Sequence, residues 1–443
     1  MIKYALAIDI GASSGRHILG HYDENGHIVM EEVYRFPNNM IRRSGHHCWD
    51  IDALTGHVIA GLKKCAEIGK IPATVGIDTW GVDYLLLDAD GNIVGDAYHY
   101  RDSRTDGIAD EFDGIMPMAD LYARTGIARQ PFNTLYQLIA GFRENPEHKN
   151  ADKLLFMPCY LAWKLCGKAV NEYTIASTGM LLNAATGDWD ADVLAAAGIP
   201  AQLLGDKPAM PGQILGDLLP EVAAEVGYNC RVMLTACHDT GSAFYCVPAP
   251  DDQTAYLSSG TWSLLGAMLD APVCTVEALE SGYTNEGGVD GIRFLKNIMG
   301  MWLLQRIRAD WDNRLSHGEM AALAEQGASY NPVIDVLDSR FLNPESMVNE
   351  ILAALADQGA PAPANDAELL YCVHHSLALS YADAIRALEG VTGRKFTSLL
   401  IIGGGSQNNL LNRLTEEAAG VKVIKGPIEG TALGNLRVQL ENM

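Results

Sequence analysis

The segment DIGASSGR, residues 9–16, combines residue types that bind phosphate: a carboxylate, glycines, serine hydroxyls and an arginine. Glycines let backbone N–H groups approach phosphate oxygens closely, and a tight turn directs several of them at one anion. Asp9 is placed to hold Mg²⁺, usually through water because that ion dehydrates reluctantly. The alternative is a plain hairpin turn, and this segment alone does not decide between the two.

The same segment matches the G-x-S-x-G pattern of serine esterases, in which Ser13 would be the nucleophile. That pattern requires a strand, a sharp turn and then a helix. Residues 17–22 read instead as a second strand, and the turn signal DENG at 23–26 follows at once. Because no helix fits between them, the sequence disfavours an esterase.

A second candidate site is the segment His238-Asp239-Thr240, which follows the apolar run 232–237. A carboxylate at a strand end, near the meeting point of two halves of a protein, is well placed as a general base. An aspartate that caps the next helix is the commoner use of such a residue. The residues alone support both interpretations equally.

Three consecutive glycines, 403–405, lie between a predicted strand over 398–402 and a predicted helix over 408–418. They remove every side chain from this corner, so a flat group such as an adenine or a ribose would fit against the backbone. A tight turn accounts for one glycine better than for three.

The chain contains one internal similarity, between AIDIGASS (7–14) and YLSSGTWS (256–263). Each segment is an apolar strand, a glycine at the same offset and then hydroxyl residues that open a second strand. Eight-residue similarities arise by chance, but these two stand at the heads of the two halves of the chain, which favours a true repeat. The pattern predicts a duplicated fold with two phosphate-facing loops across one cleft.

The pattern of elements predicts mixed sheets with helices on their faces. Strands are predicted at 4–10, 17–22, 28–35, 75–78 and 84–87, and a helix within 52–69. Residues 119–227 read as mostly helical, and a long amphipathic helix carries Leu370 to Leu388 on one face. The PAPDD break at 248–252 sets the predicted boundary between an N-terminal domain, 1–247, and a C-terminal domain, 248–443.

Composition excludes several functional classes. Against 55 Asp+Glu there are 32 Lys+Arg, a formal net charge of −23, which argues against nucleic-acid binding and a polybasic membrane anchor. No run of ~20 apolar residues predicts a membrane span, and the N-terminus lacks the pattern of a signal peptide. The nine cysteines form no CxxC pair, so we expect reduced thiols in a cytoplasmic protein and disfavour metal clusters.

Longer motifs resemble the FGGY family of carbohydrate kinases, in the actin, hexokinase and heat-shock-70 superfamily, over essentially the whole chain. These motifs are DTWGVD (78–83), YRDSRT (100–105), PFNTLYQ (131–137), SSGTWS (258–263) and LKNIMG (295–300). They are most similar to the family members that phosphorylate L-rhamnulose, since fuculose and xylulose kinases differ around Trp80-Gly81. The resemblance implies an α/β fold of two duplicated ribonuclease-H-like domains, as in actin-like ATPases, with mixed sheets flanked by helices around a deep cleft.

The resemblance also implies the roles of individual residues. Asp239 would be the catalytic base that accepts the proton of the sugar C1 hydroxyl, and Asp9 would be the carboxylate near Mg²⁺. The other positions that match sugar-contacting residues of the family are Gly81, His238, Thr240 and Asn297. The positions that match ATP-contacting residues are Ala12, Ser13, Ser14, Gly15, Arg16, Thr261, Gln305 and Gly404.

The implied activity is the ATP- and Mg²⁺-dependent conversion of L-rhamnulose to L-rhamnulose 1-phosphate and ADP, in L-rhamnose catabolism. The alternative substrates are L-fuculose, L-xylulose and L-ribulose. A non-catalytic sugar-binding protein is more distant, because both Asp9 and Asp239 are present. The implied partners are a small sugar and ATP, with no nucleic acid, membrane or obligate protein partner. Family members usually continue for some tens of residues past Gly434-Asn435, so we expect a short C-terminal domain.

Overall fold

The structure is a computed structural model that describes residues 2–247 and 251–443. The predicted linker residues Pro248 to Pro250 lie outside the described residues, so the boundary between 247 and 248 stays a prediction. The strands are β1 (Tyr4–Ile10), β2 (Ser14–Tyr22), β3 (Ile28–Pro37), β4 (Met40–Arg43), β5 (His46–Trp49), β6 (Pro72–Thr79), β7 (Tyr84–Leu87), β8 (Ile93–Val94), β9 (Lys153–Phe156), β10 (Leu182–Asn183), β11 (Asp188–Trp189), β12 (Ile214–Asp217), β13 (Arg231–Met233), β14 (Thr254–Ser259), β15 (Trp262–Leu269), β16 (Thr284–Gly287), β17 (Ile292–Met299), β18 (Ser398–Ile402) and β19 (Lys422–Lys425). The helices are α1 (Ile51–Glu67), α2 (Ile108–Asp113), α3 (Met118–Thr125), α4 (Thr134–Glu144), α5 (Met157–Cys166), α6 (Tyr173–Ala176), α7 (Ala191–Ala197), α8 (Pro220–Val226), α9 (Asp239–Tyr245), α10 (Val276–Glu280), α11 (Trp302–Asp310), α12 (His317–Ala324), α13 (Met347–Asp357), α14 (Asp366–Thr392), α15 (Asn409–Ala419) and α16 (Gly430–Glu441).

Two six-stranded mixed sheets form the frame of the molecule, and five strands of each correspond in order and direction, while β12 and β16 are added at opposite edges. The N-terminal sheet has the order β12-β13-β6-β1-β2-β3 and the C-terminal sheet the order β16-β17-β15-β14-β18-β19. In the first, β1 is antiparallel to β2 and parallel to β6. In the second, β14 is antiparallel to β15 and parallel to β18. The strand pairs agree in order and direction, which confirms the duplicated α/β fold.

The first strand is buried on both faces because a helix covers each side. On one face Leu6, Ile8 and Ile10 join the core that α1 closes. On the other face Ala5 and Ala7 pack against Leu436 of α16. The small alanine side chains on this face leave room for the helix to approach. Because both faces are buried, β1 is a continuous apolar run rather than an alternating one.

The C-terminal helix α16 packs on the N-terminal sheet, although the sequence assigns it to the C-terminal domain. Gln439 Nε2 donates to the Leu6 carbonyl at 3.0 Å, and Gln439 Oε1 accepts from Thr74 Oγ1 at 2.7 Å. Next to α9, a Cβ on Gly434 would lie 1.8 Å from the Ser242 carbonyl oxygen, so only glycine permits this approach. The last helix therefore ties the two halves together.

Most predicted elements are present, with two differences in the middle of the chain. Helix α1 lies within 52–69 give or take one residue, β7 and β18 have the predicted bounds, and α14 buries the predicted apolar face. Region 119–227 contains short strands as well as helices, and the strand predicted over 232–237 ends at Met233. None of the described helices is long and apolar enough to cross a membrane.

Candidate active site

Two carboxylates and one arginine meet at the ends of the first strands of the N-terminal sheet. Strand register places Asp9 of β1 beside Asp78 of β6 and opposite Arg16 of β2. Arg16 donates to Asp9 Oδ2 from Nε at 3.0 Å and from Nη2 at 2.8 Å. Arg16 also pairs with Glu429, which immediately precedes α16. Asp78 lies in a motif quoted above, but the sequence alone did not show that it lies beside Asp9, because that depends on how β6 pairs with β1.

This cluster concentrates negative charge in a buried place. Burial raises the pKa of Asp9, Arg16 lowers it, and Asp239 raises it again, so that it stays above its ordinary value. Burial and then the neighbouring Asp9 raise the pKa of Asp78 well above its ordinary value. Asp78 Oδ2 accepts from Asn435, whereas its buried Oδ1 has no hydrogen-bond partner. A cation at this position would relieve the repulsion among the carboxylates.

The segment between β1 and β2 is a tight hairpin whose tip is exposed. The Gly11 N–H donates to the Ser14 carbonyl at 2.9 Å, and Asn38 Nδ2 donates to the Gly11 carbonyl at 2.9 Å. Ala12, Ser13 and Ser14 are exposed, while Gly15 is buried against Phe36. The chain continues as strand β2 and not as a helix, so the geometry is not that of an esterase nucleophile.

Asp239 is the first residue of α9, and His238 precedes it as the N-cap residue. Asp239 Oδ1 accepts from the Thr240 N–H at 2.5 Å and from Thr240 Oγ1 at 3.0 Å. Its side chain is 30% exposed, against 8% for Asp9. Asp239 is therefore more accessible than Asp9 to a small ligand.

The loop between β6 and β7 approaches His238 closely. A Cβ on Gly81 would lie 3.3 Å from His238 Nε2 and 3.2 Å from Thr178 Cγ2. The next residue, Val82, has a φ of 69°, which is rare and strained for a β-branched residue. Its N–H donates to Thr178 Oγ1 at 3.0 Å and its carbonyl accepts from Thr134 Oγ1 at 2.6 Å. The structure thus brings two predicted sugar contacts, Gly81 and His238, together in a tightly held loop.

A buried carboxylate, Asp83, fixes the other end of this loop. Its Oδ2 accepts from Trp49 Nε1 at 2.6 Å and Trp80 Nε1 at 2.9 Å, and its Oδ1 accepts from Gln137 Nε2 at 2.9 Å. Burial raises the pKa of Asp83 to about 6 although these hydrogen bonds lower it. The quoted motifs contain Trp80, Asp83 and Gln137, to which the sequence assigned no role, and they do not contain Trp49.

Among the predicted nucleotide residues of the C-terminal half, Thr261 and Gly404 follow the ends of strands β14 and β18, and Gln305 lies on helix α11. Thr261 Oγ1 donates to Gln305 Oε1 at 3.3 Å in the turn between β14 and β15. Asn297 lies on β17, and its buried Oδ1 has no hydrogen-bond partner. Within the described residues no hydrogen bond or ion pair joins the hairpin at 9–16 to the hairpin at 258–263, so their approach to one ligand stays a prediction.

Two of the three glycines after β18 are required by the fold, each for a different reason. Gly403 has a φ of 90°, and a Cβ on Gly405 would lie 1.9 Å from Ser259 Oγ. Both positions therefore require glycine for the backbone and for packing against β14. A Cβ on Gly404, in contrast, would meet nothing within 4 Å. The packing of the fold therefore explains the glycines at 403 and 405 but not the one at 404, whose contact with a nucleotide stays a prediction.

Two residues of the C-terminal sheet reach His238 and were missed by the sequence reasoning. Arg293 of β17 is fully buried, and its Nη2 lies 3.0 Å from His238 Nδ1. Glu286 Oε2 of β16 lies 3.1 Å from both His238 Nδ1 and Arg293 Nη2. No motif or spacing marks these two strand residues, because their contacts depend on how the two halves pack.

Comparison with known proteins identifies the family. The model of the FGGY family N-terminal domain matches residues 4–246, and that of the FGGY family C-terminal domain matches residues 255–442. The chain belongs to the FGGY family of carbohydrate kinases. It is 44% identical over 440 residues to a rhamnulokinase of Halalkalibacterium halodurans, covering 99% of this chain and 93% of that protein. It is also 44% identical to a rhamnulokinase of Bacteroides thetaiotaomicron over 437 residues, 98% of this chain and 89% of that protein.

Solved structures of other sugar kinases share the fold of this FGGY kinase. The ligand-bound xylulose kinase from Lactobacillus acidophilus matches with a TM-score of 0.82 at 18% identity, covering 99% of this chain and 89% of that one. Plasmodium falciparum glycerol kinase with ADP matches with a TM-score of 0.81 at 16% identity, with the same coverage. At these identities the likeness concerns the fold alone, and it agrees with the two duplicated domains described above.

Proposed function

We propose that this FGGY kinase transfers the γ-phosphoryl group of ATP to the C1 hydroxyl of L-rhamnulose. The observation that carries the choice of substrate is the 44% identity to rhamnulokinases over nearly the whole chain. The choice of a base is supported by the partly exposed carboxylate of Asp239, next to His238. A kinase for L-fuculose, L-xylulose or L-ribulose is the alternative.

The proposed reaction forms a bond between the sugar O1 and the γ-phosphorus and breaks the bond between that phosphorus and the β–γ bridging oxygen of ATP. Asp239 accepts the proton that O1 loses. Thr240 donates two hydrogen bonds to the Asp239 carboxylate and so holds it in one orientation. Catalysis of phosphoryl transfer rests mostly on such positioning and on neutralising charge. We assign sugar binding to Gly81, His238, Thr240 and Asn297.

The residues around Asp9 fit a magnesium ion. Besides burial, the negative charge of Asp239 raises the pKa of Asp9, and the charges of Asp9 and Asp239 raise that of Asp78. The Asp78 Oδ1 atom is also buried without a hydrogen-bond partner. Within the described residues no three His, Cys, Asp or Glu side chains form a metal-binding group. We infer that Asp9 holds Mg²⁺ through water, with ATP phosphates as further ligands, because this ion keeps several of its waters. When bound, the ion neutralises charge on the phosphates.

ATP binding is assigned to residues of both halves. The exposed tip of the first hairpin offers backbone N–H groups and hydroxyls to the phosphates. Thr261 and Gln305 lie beside the corresponding turn of the second half, and Gly404 leaves open space for a flat group. The assigned residues are Ala12, Ser13, Ser14, Gly15, Arg16, Thr261, Gln305 and Gly404.

A coupled ADP-release assay with L-rhamnulose, L-fuculose, L-xylulose and L-ribulose tests the substrate. We expect the highest kcat/KM with L-rhamnulose, and a higher value with another ketose would overturn the proposal. Asp239→Asn should lower kcat by roughly 10²–10⁴-fold with a smaller change in KM, because a general base acts in the transition state. Asp383→Asn, at a position whose side chain is 72% exposed on α14, is the control and should keep wild-type kcat.

A further inference from the structure

We propose that Glu172 is a positioning residue: its carboxylate, at the start of α6, holds the backbone that leads into α9 and so sets the position of Asp239. The inference deepens the proposed function and rests on it for the identity of the substrate. The contact itself involves only groups of the protein, so it can be measured without any sugar.

The backbone that leads into α9 is buried but lies outside the helices and strands. Residues 234–238 connect β13 to α9, and all of them are buried. Buried peptide groups that no helix or sheet satisfies need hydrogen-bond partners from elsewhere in the chain. The Cys237 carbonyl accepts from the Thr79 N–H at 2.9 Å. The N–H groups of Cys237 and His238 need acceptors of their own.

Glu172 and Thr174 supply these two acceptors. Glu172 Oε2 accepts from the Cys237 N–H at 3.2 Å. Thr174 Oγ1 accepts from the His238 N–H at 3.2 Å. The Thr174 hydroxyl in turn donates to Glu172 Oε2 at 2.7 Å, so the two acceptors are joined in one network. Together they hold the two peptide groups that come immediately before Asp239.

The length of the Glu172 side chain is unusual for the N-cap residue of a helix. It accepts from the Thr174 N–H at 2.7 Å and from the Ile175 N–H at 3.1 Å, which is an ordinary cap. A shorter side chain serves such a cap equally well, and Asp, Asn, Ser and Thr are the usual choices. The extra methylene of Glu172 lets it also reach Cys237. Every other described α-helix with a bonded N-cap side chain uses a short residue: Asp50, Asp190, Thr275, Ser316, Ser346, Asn365 and Asn408.

The carboxylate is kept at this position although burial opposes its charge. Glu172 is completely buried, and burial raises its pKa to about 7 although its hydrogen bonds lower it. All the groups that bond its two oxygens are donors, so an ionised carboxylate, which only accepts, matches each of them. A helix of four residues does not need a buried charge as its cap. Carboxylates perturbed in this way are concentrated at functional sites.

The first experiment compares kcat for L-rhamnulose in two variants that keep different contacts of Glu172. Glu172→Asp keeps an N-cap carboxylate but is too short for Cys237, so kcat should fall roughly 10–100-fold, as small misplacements at a reacting centre cause. Glu172→Gln keeps the length and one oxygen for Cys237, so kcat should fall less than about fivefold. In both variants the KM for ATP should stay within about twofold of wild type, because uniform ATP binding is not affected.

The order of the two variants separates positioning from simple capping. Asp is a preferred N-cap residue and Gln is not, so a residue that only capped α6 would be replaced better by Asp. Positioning through Cys237 predicts the reverse order, with the higher kcat in Glu172→Gln. An equal or higher kcat in Glu172→Asp would overturn the proposal.

A second pair of variants tests the other acceptor and remains decisive if the Glu172 variants fail to fold. Thr174→Val removes the acceptor of the His238 N–H and should lower kcat by roughly tenfold. Thr174→Ser keeps the hydroxyl and should stay within about threefold of wild type. An unchanged kcat in Thr174→Val would overturn the proposal.

Thr125 on α3 provides a matched control for the loss of a buried hydroxyl. Its Oγ1 donates to the Leu121 carbonyl at 2.9 Å and accepts from the Ile127 N–H at 3.3 Å, so it has the same kinds of partner as Thr174. Thr125→Val should lower Tm and keep wild-type kcat. A loss of kcat equal to that in Thr174→Val would refute a specific role for the network at α9.

The last experiment measures the contact directly and does not depend on which ketose is the substrate. Hydrogen exchange followed by mass spectrometry reports on a fragment that contains residues 236–239. In Glu172→Asp the Cys237 N–H loses its acceptor, so this fragment should exchange about tenfold faster than in wild type, whereas Glu172→Gln should resemble wild type. Unchanged exchange in Glu172→Asp would overturn the inference and leave the proposed function untouched.

Discussion

The two hairpins that head the domains have the same backbone topology, but one carries charged side chains at positions where the other carries neutral ones. In the N-terminal hairpin, register places Asp9 opposite Arg16 on one side and beside Asp78 on the other. All three side chains are charged or ionisable, and two of them are almost completely buried. The strand ends of the N-terminal sheet therefore form an acidic cluster with one counter-charge.

The C-terminal hairpin has neutral residues at the corresponding positions. Ser258 takes the place of Asp9, and its neighbours in register are Leu264 and Ile402. Gly260 and Thr261 form the turn, and the exposed Trp262 begins β15. The duplication thus preserved strand order and direction while the charges remained in one copy only. We propose that the N-terminal hairpin lies next to the metal ion, and that the C-terminal hairpin offers neutral hydrogen-bonding groups to the nucleotide.

The largest difference between the two hairpins should appear when the carboxylate of one and the hydroxyl of the other are removed in separate variants. We expect Asp9→Asn to lower kcat by about 10²–10³-fold and to raise the Mg²⁺ concentration needed for half-maximal activity, since a metal ion supplies several kcal/mol of charge stabilisation. Ser258→Ala, at the matching position, should change kcat less than about tenfold. Magnesium titrations of both variants decide this, and an unchanged metal requirement in Asp9→Asn would remove it from the metal site.

The glycine corner of the C-terminal half offers a matched pair of substitutions. Gly405→Ala places a Cβ 1.9 Å from Ser259 Oγ and should destabilise the fold by roughly 1–3 kcal/mol, as overpacking does. Gly404→Ala meets open space and should leave the free energy of unfolding unchanged while raising the KM for ATP. Urea denaturation measures the first effect and initial rates the second. Equal destabilisation by the two variants would contradict the separate roles assigned to them.

The acidic cluster should also make the stability of the protein fall as the pH rises. The C-terminal hairpin, with neutral residues at the matching positions, should contribute no such pH dependence. A carboxyl group whose pKa is raised by folding stabilises most below its unfolded pKa, about 3.9 for Asp, and this contribution is lost as the pH rises toward the folded pKa. Asp78 is such a group. Asp78→Asn keeps the acceptor for Asn435 and removes the titration. Its Tm should fall less than that of wild type between pH 4 and pH 8, and parallel curves would contradict the raised pKa.

The smallest effect is expected at the tip of the first hairpin. Ser13 supplies one hydroxyl among several donors, so Ser13→Ala should raise the KM for ATP by less than about tenfold and leave kcat nearly unchanged. Mass spectrometry after incubation with an activated ester should find no acyl group on Ser13. An acylated Ser13 would revive the esterase interpretation and contradict the role of this hairpin.

The sequence by itself determined the local elements and the family. Apolar periodicity was enough for α1, β7, β18 and the buried face of α14, because burial of one face imposes a spacing that is visible in the chain. The motif at 78–83 and its companions were specific enough for the FGGY family. The same local information predicted the repeat, since the strand–glycine–strand signature survives in both copies. The roles of individual residues in the site remain proposals.

Only the tertiary structure decided which of these residues meet. Asp78 joins Asp9 because β6 pairs with β1 in one register, and Arg293 joins His238 because β17 packs against α9. Likewise, α16 crosses to the N-terminal sheet although its sequence follows the C-terminal strands. The local sequence pattern shows whether a side chain is buried, but it does not show which residues of the rest of the chain pack against it. Contacts between residues far apart in the chain depend on register and on the packing of whole elements, and there the charge balance of the site is set.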